Sequence, residues 1–96
     1  MKVLVRNNST ESTEILDNSE FISVALDQIG SIAQNLKSVD ESEKLLDGLA
    51  DILELAQEIL SKNNINPINV IHHASNLRNE FGSFTDKKAI STQDKE

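Results

Sequence analysis

Ninety-six residues make one domain with a thin core, because a chain of this size buries only about 60–65% of its unfolded surface and gains from a partner subunit. Leu, Ile, Val and Phe total 29 of the 96 residues, a share too high for a disordered chain. The net charge of −7, with seven of the sixteen acids crowded into residues 40–58, and only three aromatics, all Phe, exclude nucleic-acid binding through phosphates or base stacking.

There is no cysteine, hence no disulfide framework or thiolate chemistry, and no apolar run near the ~18 residues a membrane span needs. A cytosolic protein without membrane contact is the expectation.

The chain opens on "MKVLVR", a short extended arm, and "NNSTESTE", a polar loop; residues 1–18 read as arm and loop. Ser19 is the expected N-cap of a first helix over 20–37. There Phe21, Val24, Ala25, Ile29, Ile32, Ala33 and Leu36 recur at steps of three and four. "SVDESE" supplies cap candidates and first-turn acids for a second helix over 41–62. Its apolar residues form two stripes: Leu45, Leu49, Ile52, Ala56 and Ile59, and beside them Leu46, Leu53 and Leu60. Two stripes on one helix predict packing against the chain itself and against another subunit. "KNNIN" ends that helix with asparagines able to take positive φ, and Asn66-Pro67 restarts the chain as N-cap and first helical residue. Ile68, Ile71, Ala74 or Ser75, and Leu77 or Arg78 mark a third helix to about Glu80; "FGSF" then turns the chain. The domain is thus expected over 19–84 and a polar tail over 85–96, in an all-α, oligomeric bundle of three main helices.

Several residues have a bland reading beside a functional one. His72 and His73 are neighbours, pointing about 100° apart on a helix, so they do not chelate one metal together. Gly30, inside the first helix, suits a close helix crossing. Gly48, early in the second, costs about 1 kcal/mol against alanine and has no evident reason in its local sequence. Asp47, Asp51, Glu54 and Glu58 recur at helical spacing and fit the solvated face of an acidic helix.

The run "LADILELAQEILSKNNINP", followed by a helix and "FGSF", together with "LVR" at 4–6 and "EILDNSEFISVAL" at 14–26, resembles the all-α nucleoside triphosphate pyrophosphohydrolases of the MazG and phosphoribosyl-ATP pyrophosphohydrolase superfamily. The resemblance spans roughly residues 3 to 90, in short pieces. It implies helices that present acids at i and i+3, as E-x-x-E and E-x-x-D, to hold Mg²⁺ against a triphosphate.

Carried onto this chain, those pairs fall on Gln28 and Ser31, and on Gly48 and Asp51, so that only Asp51 is an acid; Asp27 matches an acid that often precedes the first pair. The resemblance therefore implies a degenerate site: no catalytic residue, Asp51 as a vestigial ligand, and no cofactor or weakly bound Mg²⁺ at most. Asp27, Asp47, Asp51 and Arg78 are the candidate ligand-binding residues, with Lys87 and Lys88 as further candidate phosphate contacts. Three readings stay open: a degenerate module that binds a nucleotide-type ligand or a protein partner, an active Mg²⁺-dependent pyrophosphohydrolase using displaced acids, and a structural helical interaction protein.

Overall fold

A computed structural model describes residues 1–92, and among them the all-α expectation holds. Three helices, α1 (Asn18–Leu36), α2 (Ser42–Lys62) and α3 (Ile68–Phe81), follow one another with no strand among the described residues. The helix α1 begins two residues before the sequence predicts, because its cap is Asp17 and not Ser19: the Asp17 carboxylate accepts the Glu20 N–H at 2.8 Å. Of three successive capping residues, Asp17 is the one whose side chain reaches the third helical amide.

The chain leaves α2 through a Schellman turn. Asn64 adopts φ 63°, its N–H bonds the Ser61 carbonyl at 3.0 Å, and the Ile65 N–H reaches back to Leu60 at 2.9 Å. At the start of α3 the Asn66 side chain accepts the Ile68 N–H at 3.0 Å and Pro67 already has helical angles, as the Asn-Pro pair predicts. Gly82 closes α3 at φ 92°, a conformation that side-chain-bearing residues rarely adopt.

Helix-to-helix packing is concentrated between α1 and α2, which run antiparallel. At one end Lys62 lies 5.3 Å from the Phe21 ring centroid, and Asn18 donates to the Lys62 carbonyl at 3.5 Å. At the other end Gly48 receives Leu36: a Cβ added at Gly48 would stand 2.7 Å from Leu36 Cδ2 and 2.9 Å from Cδ1. The close crossing expected at Gly30 is therefore made at Gly48, since a Cβ at Gly30 would meet nothing within 4 Å.

The seam differs from the predicted stripes in a further respect. Gly48, Ile52, Leu55 and Ile59 are half-buried, whereas Leu45 and Leu49 are exposed, as are Leu46 and Leu53. Ala33 is likewise exposed on α1, and Gln28 takes a half-buried place instead. Among the described residues only Ala25 is fully buried. The helix α3 leaves Ile68, Val70, Ile71, Leu77 and Phe81 exposed, with only Ser75 half-buried.

The consequence is an open shape. The radius of gyration is 16.2 Å, against about 13 Å for a compact chain of 100 residues. The accessible surface is 8456 Å², against about 5,500 Å² for a compact monomer of this mass. Residues 85–92 of the expected polar tail are exposed, and 93–96 lie outside the described residues. No helix among the described residues is long and apolar enough to cross a membrane.

Candidate functional site: an acidic face bound by the N-terminal arm

The arm "MKVLVR" lies across α1 and α2 with its even-numbered residues turned inward. Lys2 Nζ donates to Glu20 Oε2 at 2.5 Å and sits 3.5 Å from Glu14. Two residues on, the Leu4 main chain is held at both of its polar groups by one side chain: its N–H donates to Gln28 Oε1 at 2.7 Å, and Gln28 Nε2 donates to its carbonyl at 3.2 Å. Two residues further, the Arg6 guanidinium forks between Asp51 Oδ1 at 2.5 Å and Glu54 Oε1 at 2.8 Å. Val3 and Val5 point away and are 66% and 50% exposed. The two-residue period is that of an extended strand, whose alternate side chains share a face.

Each anchor follows from local structure. Asp51 and Glu54 are three apart on α2 and so project together, at the reach of one guanidinium. Gln28 offers an acceptor and a donor side by side, the pair a neighbouring strand would present to the Leu4 backbone. The bond to Asp51 first, then that to Glu54, raises Arg6 above its ordinary pKa; the bond to Glu20 raises Lys2 above its own. Both cations are solvent-exposed and their ion pairs are screened, so the arm is held by the set of anchors and not by one strong bond.

Beside the arm runs a groove of about 630 Å³ lined by residues that include Arg6, Asn7, Phe21, Gln28, Asp51, Glu58 and Lys62. The sequence-derived candidates divide accordingly. Gln28 and Asp51 meet at this groove; Asp27, Ser31, Gly48, Asp47 and Arg78 do not line it. Asp27, Ser31 and Asp47 are exposed, and Gly48 faces Leu36 in the helix seam. Arg78 is exposed on α3, as are His72 and His73, while Lys87 and Lys88 lie in the exposed segment after it.

Of the four positions that the pyrophosphohydrolase pattern assigns to metal ligands, Ser31 is exposed on α1 away from the groove and the other three are occupied as follows. Gly48 has no donor, Gln28 is engaged with Leu4, and Asp51 is engaged with Arg6. Lys2, Leu4, Arg6, Glu20 and Glu54 are the residues that sequence reasoning missed. Their one signal is the alternation of basic, apolar and basic residues at positions 2, 4 and 6.

No protein-family model, no curated protein and no solved structure matches the chain.

Proposed function

We propose that this chain is a helical binding module, built on the plan of the all-α pyrophosphohydrolases with a degenerate metal site, and that it acts by association and not by hydrolysis. Its first partner is a second copy of itself. The observation that carries the reading is the uncovered apolar surface of α2 and α3, where Leu46, Leu53, Ile71, Leu77 and Phe81 are all exposed while one of the described residues is fully buried.

Magnitude favours a second copy. The accessible surface exceeds that of a compact monomer by about 3,000 Å², an excess shared among the arm, the loop before α1, the segment after α3 and the faces of α2 and α3, and a stable interface takes ~800 Å² of it per partner. At about 25 cal/mol per Å², covering 800 Å² that is three-fifths apolar contributes on the order of 10 kcal/mol before association costs. The test is thermal unfolding at several protein concentrations. A coupled dimer melts higher as concentration rises, and a melting temperature independent of concentration contradicts the proposal.

A nucleotide-type ligand is a second reading, favoured by one observation. The groove beside the arm, half-open, falls by volume within the ~300–1,000 Å³ typical of small-molecule sites, and its cations Arg6 and Lys62 are paired with the acids Asp51, Glu54 and Glu58 of the same wall, so a ligand's phosphates would have to compete for them. A thermal-shift screen of nucleotides with and without Mg²⁺ tests it; no shift with any nucleotide at millimolar concentration removes it.

A further inference from the structure

We propose that the face shared by α1 and α2 is a receptor for an extended basic peptide with the pattern basic-x-x-x-arginine, and that residues 2–6 of the chain occupy it in cis as a competing pseudo-ligand. This proposal is independent of self-association, which uses the exposed leucines of α2 and the face of α3.

The seated arm displays the recognition chemistry directly. Recognition has three parts at fixed spacing. Glu14 and Glu20 take the first cation, the Gln28 amide takes the main chain of the central residue at both its N–H and its carbonyl, and Asp51 with Glu54 takes the second cation. The main-chain clamp does not read sequence. It demands an extended backbone, which is how strand-adding peptides are held. The acid pairs at the two ends then select for charge. The stretch from residue 2 to residue 6 spans about 13 Å at ~3.3 Å per residue, so basic groups at any other separation miss one end.

Occupation by the chain's own arm is reversible by construction. Every ion pair of the arm is exposed, and residues 7–17 between the arm and α1 are polar but for Ile15 and Leu16, and mostly exposed. A tether of that kind presents the arm at an effective concentration on the order of millimolar. A partner peptide displaces the arm only when it binds more tightly or when the arm is weakened, which makes the arm a brake on the site.

The probe is the acetylated, amidated pentapeptide Lys-Val-Leu-Val-Arg, added to the full chain and followed by the NMR signals of the Gln28 side-chain amide and the Leu4 amide. In the Lys2→Glu/Arg6→Glu chain the arm is repelled by the acids, and the peptide is expected to bind at least about tenfold more tightly than to the unmodified chain. A Glu-Val-Leu-Val-Glu peptide is expected not to bind. Equal binding to both chains, or equal binding of both peptides, overturns the proposal. Should the double variant fail to fold, the unmodified chain decides. With several-millimolar peptide the Leu4 amide is expected to move toward its unstructured position while the Gln28 amide stays bonded, and a Leu4 signal that does not move overturns the proposal.

Discussion

Leu36 occupies the space that a side chain at position 48 would fill: a Cβ built on Gly48 falls 2.7 Å, 2.9 Å and 3.1 Å from Cδ2, Cδ1 and Cγ of Leu36. The obstructing atoms are the two methyls and the branch point of Leu36, which move together on rotation about its Cα–Cβ bond, so the cost of a side chain at 48 is that of displacing Leu36 from its place in the seam. Gly48→Ala gains about 1 kcal/mol of helix propensity and incurs about 1–3 kcal/mol of overpacking, and is expected to destabilise the fold by roughly 1 kcal/mol in urea unfolding. In a Leu36→Ala background the same change is expected to be neutral or stabilising, a coupling that a double-mutant cycle measures. Additive effects would show that the two residues do not touch.

The capping of α1 gives a second prediction. Asp17 is the residue that accepts the Glu20 amide, so Asp17→Ala is expected to cost about 1 kcal/mol, and Ser19→Ala little. The reverse ranking would restore Ser19 as the cap.

Much of this fold is legible in the sequence, and the errors have physical causes. The three helices follow from apolar residues at steps of three and four, and the break between α2 and α3 from asparagines and an Asn-Pro pair, all local signals. The cap of α1 is not decided by sequence, because Asp17, Asn18 and Ser19 are all capping residues and only the distance to an amide separates them. The inward face of α2 is ambiguous in the sequence because apolar residues cover most of its circumference: Leu45 and Leu49 continue the 3.6-residue pattern of Ile52 and Ile59 as well as Gly48 and Leu55 do. The direction from which α1 approaches chooses between them. The arm's anchors were illegible for a different reason: Arg6 pairs with residues 45 and 48 positions away, and no local pattern encodes that meeting.

Catalysis by the pyrophosphohydrolase mechanism is expected to be absent. With Gly48 in the helix seam, Gln28 on Leu4 and Asp51 on Arg6, pyrophosphate release from nucleoside triphosphates with Mg²⁺ or Mn²⁺ should stay at background, and Asp51→Ala should change nothing. Robust turnover lost in Asp51→Ala would establish the enzyme reading instead.

The Lys2 end of the arm is expected to loosen at high pH, while the Gln28 and Arg6 anchors persist. The folded state raises the Lys2 pKa, chiefly through the bond to Glu20, so the Lys2 contribution is complete below the ordinary lysine value of about 10.4 and is lost as pH rises through the higher folded value. The signals of the Lys2 side chain and of Glu20 should report this loosening only above that ordinary value, and Lys2→Arg should carry the transition higher still. Loosening at neutral pH would contradict the assignment of Lys2 as an anchor.

Leu53 lies at 54% exposure on the surface assigned to the second copy. If that surface is covered in the assembly, Leu53→Asp buries a carboxylate without a partner, at a cost of several kcal/mol, and the assembly is expected to dissociate or unfold. On an uncovered surface the same change is expected to alter stability by less than about 0.5 kcal/mol.

The mass of the folded chain in solution tests self-association most directly. Light scattering on a chain at tens of micromolar, with helicity confirmed by circular dichroism, is expected to give at least twice the 10.6 kDa of one chain, falling toward that value in Leu53→Asp. A cooperatively folded species at 10.6 kDa across that concentration range would contradict the account, because the exposed faces of α2 and α3 would then have no second copy to cover them.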